Sequence, residues 1–372
     1  LETGATTLVS RASGADGAGA DDRTFTAAVS ADGRYVAFDS DGDNLSAIDD
    51  DTVVDVFRRD TLTGATILIT RRDGPDGLAA SGAAPSMSHD GRVIAFQTQD
   101  DAISAIDDNA LLNLFARDVE AGTTTLVSRP TGTGLTPQNA SSFVPVVSGN
   151  GRYVAFESDA SNLTPDANPA ARDIFVRDLT TGTTALVSRA TGPAGAAGDA
   201  PSTDVSISAD GRYAAFSSTA ANLSTEDADP VSDVFVRDLV AGTTVLVSRA
   251  DGPAGAGGDA ASEAPSISDD GRYVAFQSAA ANLSAEDADP VVDVFVRDLV
   301  EGRTILVSRA AGAAGAAGAA DSTFPRISSD GRYAAFVSSA DNLTDQDVDG
   351  VQDVFRRDVL GAPLAPVAPG PA

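Results

Sequence analysis

The sequence predicts an all-β protein, a closed six-bladed β-propeller of four-stranded blades. Two observations predict this fold: a unit of about 60 residues occurs six times, and each unit holds four short strand-like segments separated by turn residues. A third observation concerns the chain ends, which carry complementary parts of one unit. We therefore expect a single propeller over residues 1–359 and a Pro/Ala-rich tail or linker over residues 360–372.

The repeat is marked by the motif Ser-x-Asp-Gly-Arg. The motif starts at Ser30, recurs 58 residues later at Ser88, and is then spaced by 60 residues. The copy at 148–152 is a variant, Ser-Gly-Asn-Gly-Arg, and the others start at Ser208, Ser268 and Ser328. Such a regular period is typical of propellers and other repeat architectures.

The fifth unit illustrates the four predicted strands. An apolar segment at 265–268 is followed by an Asp-Gly turn and a second strand at 272–278. A long loop leads to the third strand at 293–298, and a tight turn at Gly302 leads to the fourth at 304–309. Adjacent apolar residues within these strands predict sheets that are covered on both faces by neighbouring blades.

The chain ends predict how the ring closes. The sixth unit runs through residues 353–358 and then loses the repeat, so it lacks a fourth strand. Residues 6–11 precede the first motif and match the fourth strand of the other units. We expect this N-terminal strand to complete the last blade, which begins near Phe324, because closure protects sheet edges that would otherwise be exposed.

Composition limits the partners of the protein. The chain has no cysteine and no lysine, and its net charge is −29. Disulfides and thiolate metal sites are excluded, and the negative field opposes nucleic acids and anionic membrane surfaces. No run of residues approaches the length of a membrane span, so we expect no membrane insertion.

The string Pro-x-Ile-Ser-x-Asp-Gly-Arg-Tyr-x-Ala-Phe-x-Ser, followed by Asp-Val-Phe-x-Arg-Asp, resembles the TolB-type β-propeller repeat of bacterial envelope and secreted proteins. The resemblance covers nearly the whole chain but not the separate N-terminal domain of TolB. It implies the propeller fold and an extracellular, periplasmic or cell-surface location. It does not imply a role in the Tol system, because propellers serve enzymes and binding proteins alike.

The loop between the second and third strands carries the most specific motif. It has Asn-Leu-[Ser/Thr], then oxygen-bearing side chains at alternate positions and at the start of the third strand. This arrangement suits Ca²⁺, which takes six to eight oxygen ligands in flexible geometry. The alternative is that these residues form Asx turns and that the acidic loops reflect adaptation to salt. The candidate ligands are Asp49, Asp51 and Asp55; Asp107, Asn109 and Asn113; Asp166, Asn168 and Asp173; Asp227, Asp229 and Asp233; Asp287, Asp289 and Asp293; and Asp347, Asp349 and Asp353.

No catalytic constellation is recognisable in the sequence. His89 is the only histidine and lies in the tight turn of the second unit, which argues against a Ser-His-Asp triad or a histidine zinc site. The long loops between the second and third strands and the connectors between blades are expected to emerge on one face, here called the long-loop face. We therefore expect a non-enzymatic, calcium-stabilised binding or scaffold module that meets a protein or surface polymer through this face.

Two alternatives stay open. One is a lyase or hydrolase that uses carboxylates and metal over the central channel, and the other is a structural subunit of a cell-surface assembly. An arginine or asparagine beside two carboxylates in one pocket of the second or third unit would favour the enzyme, and Arg172 departs from the repeat there.

Overall fold

The structure, a computed structural model, describes residues 5–360 except 15, 50–51, 73–78, 105–109, 133–135, 193–194, 228, 253–254, 288, 313–314 and 348. The predicted tail from residue 361 onward lies outside the described residues. Within the described ranges the regular structure is β-strand, with one short 3₁₀ turn at Asp101–Ile103.

The strands form six consecutive blades. Blade one contains β1 (Thr24–Val29), β2 (Tyr35–Ser40), β3 (Asp55–Asp60) and β4 (Ala65–Leu68), and blade two β5 (Ala83–Met87), β6 (Val93–Thr98), β7 (Asn113–Asp118) and β8 (Thr123–Leu126). Blade three contains β9 (Ser142–Val147), β10 (Tyr153–Ser158), β11 (Asp173–Asp178) and β12 (Thr183–Leu186), and blade four β13 (Ser202–Ile207), β14 (Tyr213–Ser218), β15 (Asp233–Asp238) and β16 (Thr243–Leu246). Blade five contains β17 (Ser262–Ile267), β18 (Tyr273–Ser278), β19 (Asp293–Asp298) and β20 (Arg303–Leu306), and blade six β21 (Ser322–Ile327), β22 (Tyr333–Ser338) and β23 (Asp353–Asp358).

Each blade is an antiparallel meander. Five sheets have four strands and the sixth has three, and in every sheet the neighbours follow chain order. The predicted all-β architecture of six blades is confirmed at this level. The third strand of blade five has the bounds predicted from the sequence, whereas the first strand begins three residues earlier than expected.

The Ser-x-Asp-Gly-Arg motif is a self-contained turn between the first two strands. In blade four, the Ser208 hydroxyl donates to Asp210 Oδ1 (2.7 Å), which also accepts the backbone N–H of Arg212 (2.9 Å). Ser208 Oγ in turn accepts the backbone N–H of Tyr213 (2.9 Å). Gly211 lies at φ +77°, a conformation that residues with a Cβ adopt rarely.

The same glycine allows neighbouring blades to approach. A Cβ at Gly211 would lie 2.0 Å from Cδ2 of Tyr153 in the preceding blade, and one at Gly271 would lie 2.1 Å from Cδ2 of Tyr213. The repeat therefore couples the turn glycine of one blade to the tyrosine ring of the blade before it, except in blade three, where Gly151 meets Val93.

The core of each blade is built around two phenylalanines from the second and third strands. The rings of each pair stack with centroids 5.7–6.2 Å apart, within the range favoured by aromatic pairs. The pairs are Phe38–Phe57, Phe96–Phe115, Phe156–Phe175, Phe216–Phe235, Phe276–Phe295 and Phe336–Phe355.

The arginine of Asp-Val-Phe-x-Arg-Asp attaches each blade to the connector that enters it. Arg237 is buried, and its Nη1 donates to the carbonyl oxygens of Arg189 (3.3 Å) and Ala190 (2.8 Å) and to Thr244 Oγ1 (2.9 Å). Burial lowers the pKa of Arg237. The aspartate that follows, Asp238, forms an ion pair with Arg212 (2.7 Å). The adjacent arginine and aspartate of the motif therefore have different partners.

The predicted closure is not seen in this structure. Residues 6–11 form no strand, and the sixth sheet ends at β23. Val354 is 77% exposed, whereas its counterpart Val294 in blade five is 0% exposed. Among the described residues, no atom lies within 4 Å of a Cβ built on Gly33, where four of the other blades have a tyrosine ring. The seam between blades six and one is therefore open, and closure by the N-terminal strand stays a prediction.

Replacing Gly211 with alanine is expected to destabilise the protein, because the new Cβ meets both an unfavourable φ and the Tyr153 ring. We expect the free energy of unfolding to fall by about 1–3 kcal/mol more than in Gly182→Ala. Gly182 is the matched control, since its φ is +68° but its nearest neighbour would lie at an ordinary 3.5 Å. Urea denaturation of both variants makes the comparison, and equal losses would contradict the packing role of the glycine.

Candidate metal centres

In five blades, an asparagine joins the loop between the second and third strands to the connector that enters the blade. Asn222 Oδ1 accepts the backbone N–H of Asp199 (3.1 Å), and its Nδ2 donates to the carbonyl oxygen of Ala197 (2.8 Å). The following Leu223 is buried in the core. The same asparagine bridge occurs in the other blades that have the motif, at Asn44, Asn162, Asn282 and Asn342. The Asn-Leu pair thus anchors the loop at both a polar and an apolar point.

Three of the predicted ligand triads come together in space. In blades four, five and six, each triad places one carboxylate oxygen per residue so that all three lie within 4.8 Å of one another. The first and last aspartates are buried in blades four and five, and the middle one is exposed. The triads are Asp227, Asp229 and Asp233; Asp287, Asp289 and Asp293; and Asp347, Asp349 and Asp353.

Hydrogen bonds within the loop position these carboxylates. The Ser248 hydroxyl donates to Asp233 Oδ1 (2.5 Å) and accepts the backbone N–H of Val234 (3.0 Å). Asp227 Oδ1 accepts the backbone N–H of Asp229 (3.2 Å), and Asp229 Oδ1 accepts that of Val231 (2.9 Å). The Asx turns that were the alternative explanation are therefore present at Asp227 and Asp229, and each turn uses one oxygen of its aspartate.

The second oxygens are the ones that need a partner. Asp227 Oδ2, Asp287 Oδ2, Asp293 Oδ2 and Asp347 Oδ2 are buried without a hydrogen-bond donor. Asp287 is 2% exposed and Asp293 is 0% exposed. A buried, unpartnered carboxylate oxygen is costly, and two converging in one cluster fit a hard cation that binds oxygen.

The pKa values of the buried aspartates are consistent with carboxylates that lack a positively charged partner. Burial raises the pKa of Asp233 and of Asp293 to about 7, with the hydroxyl hydrogen bond opposing the rise and the neighbouring aspartates adding to it. Burial likewise raises the pKa of Asp227 and Asp287. Without a cation, the clusters of blades four and five thus resist carrying their full negative charge.

The predicted sites of blades one and two are described only in part. Asp51, Asp107 and Asn109 lie outside the described residues. Asp49 and Asp55 are buried, and Asp55 accepts a hydrogen bond from the Thr70 hydroxyl. Asn113 is also buried and accepts a bond from the Ser128 hydroxyl (3.4 Å). The anchoring residue of each loop thus lies where the blade-four site has Asp233.

Blade three departs from the predicted triad. Asp166 forms an ion pair with Arg189, as Glu226 does with Arg249 in blade four. Asp173 accepts the backbone N–H of Asn168 (2.8 Å) and the Ser188 hydroxyl (2.7 Å).

Aligning the loops on Asn162 and Asn222 accounts for this difference. Asp166 stands four residues after its asparagine, as Glu226 does, so its counterpart is Glu226 and not Asp227. Alignment on the asparagine, rather than on the spacing of the aspartates, could have shown that Asp166 belongs to an ion pair.

Sequence reasoning also missed the hydroxyl that holds the last carboxylate of each site. This residue follows the fourth strand, about fifteen positions after its aspartate, and is Thr70, Ser128, Ser188, Ser248 or Ser308. The recurrent Leu-Val-Ser-Arg was visible in the sequence. Its contact with the aspartate depends on strand pairing, which the sequence does not display.

Blade three contains an arginine beside two carboxylates, which is one part of the arrangement expected of an enzyme. Arg172 contacts Glu157 (Nη1–Oε2 3.2 Å) and Asp159 (Nε–Oδ1 2.8 Å) and lies over the ring of Phe143. Glu157 Oε1 accepts the backbone N–H of Asp204 in blade four (2.8 Å). Because both carboxylate oxygens of Glu157 are engaged, the cluster acts as a bridge between two blades in this structure.

His89 lies in the predicted turn, and its Nε2 is 3.5 Å from Asp269 Oδ1 in blade five. Its backbone N–H donates to the carbonyl of Gly149 in the next blade, and its own carbonyl accepts the N–H of Ala31. These contacts give the histidine a structural setting between blades.

Comparison with known proteins shows the fold alone. No family model matches the chain, and no curated protein matches it. The β-propeller domain of the Trilobed protease from Pyrococcus furiosus is similar, with TM-score 0.51 and 10% identity over 92% of this chain and 82% of that one.

TolB from Acinetobacter baumannii is also similar, at 17% identity and TM-score 0.41, over 77% of this chain. The chain spans about half, 54%, of the length of that TolB. An oligogalacturonate lyase in complex with manganese is similar at 12% identity and TM-score 0.46, over 90% of this chain and 74% of that one.

The class defined by sheets and comparisons is a six-bladed β-propeller, and the expected likeness to TolB-type propellers is found. Among the described residues, no helix is long and apolar enough to cross a membrane.

The stability of the metal-free protein is expected to fall as pH rises from 5 to 8. The folded-state pKa of Asp233 and Asp293 is about 7, above the usual value of 3.8. The unfolded chain therefore releases these protons at lower pH, and the stabilisation they give is lost as pH rises through about 7. In chelator, we expect a melting temperature several degrees lower at pH 8 than at pH 5, because two groups with this shift together lose roughly 5 kcal/mol of stabilisation over that range.

The double variant Asp233→Asn/Asp293→Asn is the control for this pH dependence, because neither amide titrates. Differential scanning calorimetry of both proteins at matched ionic strength gives the comparison. A pH dependence that persists unchanged in the double variant would show that other groups are responsible.

Proposed function

We propose that this chain is a non-enzymatic, calcium-stabilised β-propeller that acts as a binding or scaffold module outside the cytoplasm, secreted or exposed in the cell envelope. The observation that carries the proposal is the convergence of three aspartates in each of three clusters, in every one of which at least one buried carboxylate oxygen has no hydrogen-bond donor. A bound cation attaches the long loop to the start of the third strand and so gives the loop a defined shape.

The chemistry of the donors favours Ca²⁺. The described members of each cluster are aspartates, which offer carboxylate oxygens. Ca²⁺ accepts six to eight such oxygens in irregular geometry, whereas Mg²⁺ requires a near-ideal octahedron. Modules that work outside cells often bind Ca²⁺ with Kd values of about 10⁻⁴ to 10⁻³ M. Sites of that strength fill outside the cytoplasm, which supports the proposed location.

The long-loop face is the proposed binding surface. Binding residues of repeat proteins concentrate where loops vary on a rigid frame. Exposed apolar side chains occur at one bulged position of the first strand, Val144 in blade three and Phe324 in blade six, at φ +50° and +54°. Strained backbone of this kind is concentrated at functional positions. A protein or surface polymer with cationic groups would complement the net charge of −29.

We also propose that the N-terminal strand closes the ring. The segment after it already has the conformation of the other connectors, since the bridge Arg11–Gly19 matches the bridge Arg249–Gly257. Arg59 Nη1 donates to the carbonyl oxygens of Arg11 (3.1 Å) and Ala12 (2.8 Å), as Arg237 in blade four does to the carbonyl oxygens of its own connector.

The sixth blade offers a place for this strand. An open depression of about 310 Å³ is lined in part by Phe336, Leu343 and Phe355. In blade four, Leu246 lies in the core with Phe216 and Phe235. Leu8 is the residue at that position of the repeat, and it is 57% exposed. Burial of Leu8 in the depression would be worth about 1.5–3 kcal/mol if it became complete.

The enzyme alternative, a carboxylate- or metal-dependent lyase or hydrolase, has one supporting observation, the cluster of Arg172, Glu157 and Asp159. We favour the binding module because Arg172 neutralises both carboxylates and Glu157 also bridges blades. A structural subunit of a surface assembly would use the same calcium-stabilised frame.

Calcium is expected to raise the melting temperature of the chelator-treated protein, with several equivalents bound by metal analysis. At a free Ca²⁺ concentration of 100 Kd, each site adds about 2.7 kcal/mol. Asp293→Asn should reduce the calcium-dependent rise and remove about one equivalent, whereas Asp269→Asn, an aspartate outside the triads, should leave both unchanged. A protein that binds no calcium, or a rise that is the same in both variants, would overturn the proposed role of the triads.

Closure makes Gly33 equivalent to Gly211, because it brings Tyr333 under the first turn. If the ring is closed in solution, Gly33→Ala should destabilise the protein as much as Gly211→Ala does, again by about 1–3 kcal/mol more than Gly182→Ala. The same urea denaturation series tests this. A loss no larger than that of Gly182→Ala would mean that the seam stays open.

A further inference from the structure

We infer that cation binding to the loop of blade six and insertion of the N-terminal strand are linked, with Ser10 completing the sixth site. This inference rests on the proposed calcium function and on the proposed closure. It adds that the site of blade six combines Asp347, Asp349 and Asp353 with Ser10 from near the other end of the chain, so that bound Ca²⁺ stabilises the closed ring.

The complete blades show what the sixth site lacks. In blades three and four, the hydroxyls of Ser188 and Ser248 donate to Asp173 (2.7 Å) and Asp233 (2.5 Å). In blade five, Ser308 donates to Asp293 and accepts the backbone N–H of Val294 (2.8 Å). The hydroxyl thus orients the last carboxylate of the site and ties it to the end of the fourth strand.

In blade six the corresponding carboxylate is exposed. Asp353 occupies the place of Asp293, which is 0% exposed in blade five. The residue at the place of Ser308 is Ser10, because Leu-Val-Ser-Arg at 8–11 matches the same four residues at 306–309. Insertion of the N-terminal strand would therefore bring a hydroxyl to Asp353 and cover it.

Covering Asp353 has an electrostatic cost that a cation removes. Asp347, Asp349 and Asp353 already lie with carboxylate oxygens within 4.8 Å of one another. Taking the third carboxylate out of water beside two others is unfavourable unless an opposite charge is bound. The cation therefore favours the inserted strand, and by reciprocity the inserted strand raises the affinity of the sixth site by the same factor.

A disulfide across the seam measures this linkage directly. Val296 pairs with Ile305 in blade five, so the same register pairs Arg356 with Thr7 in blade six. The chain has no cysteine, and the double variant Thr7→Cys/Arg356→Cys therefore contains only the reporting pair. The rate of intramolecular disulfide formation under mild oxidation should rise at least about fivefold on going from EGTA to saturating Ca²⁺.

Three variants in this background isolate the site. Asp353→Asn and Ser10→Ala should each abolish most of the acceleration by Ca²⁺. Ser248→Ala is the matched control, because it removes the same hydroxyl from a complete blade and should keep the acceleration. A pair that places the second cysteine elsewhere, Thr7→Cys/Arg303→Cys, reports the general reactivity of the N-terminal segment and should respond little to Ca²⁺.

The outcomes separate this inference from the function on which it rests. If metal analysis finds bound calcium but the disulfide forms at the same rate with and without it, the linkage is wrong and the calcium-stabilised module stands. If no calcium binds, both fail. Disulfide-linked dimers instead of cross-linked monomers would show that the strand enters a second copy of the chain. That result would overturn the inferred closure within one chain.

Discussion

The packing of one tyrosine ring against the turn glycine of the next blade is the contact on which the rest of the structure depends. The turn must place a residue without a side chain at φ near +77° and at the surface of the neighbouring ring. The polar residues of the motif serve that requirement, since serine and aspartate hold the turn and arginine pairs with the end of the third strand. A buried arginine then attaches each blade to its incoming connector.

This frame explains why the long loops can concentrate negative charge. The loops begin and end on buried positions, Leu223 and Asp233 in blade four, so their geometry is imposed by the core. The frame holds carboxylates together that would separate in a free chain, and part of the folding energy is stored as repulsion and as unpartnered oxygens. A bound cation would relieve both, so the proposed calcium binding would couple the stability of the protein to calcium and to pH.

At the seam between blades six and one, the contacts that join the other blades lack one of their partners. Val354 and Leu8 are exposed although their counterparts are buried, and the turn at Gly33 has no ring beneath it. Each of these deficits would be filled by one movement, the approach of blade six to the N-terminal segment. The aspartate cluster of blade six lies beside the seam. A candidate metal site therefore lies at the boundary where the contacts between blades are incomplete.

Local patterns in the sequence were sufficient to predict the repeat, the six sheets, the bounds of the third strand of blade five and the aspartates that meet in blades four to six. Those features arise from local patterns, a turn motif, strand periodicity and short spacing, which the chain repeats almost unchanged. Only the tertiary structure decided that Asp166 pairs with Arg189, that hydroxyls such as Ser248 hold the site, and that Glu157 bridges two blades. These contacts join residues 15 to 47 positions apart, and their strength comes from burial and geometry that exist only when the blades are stacked.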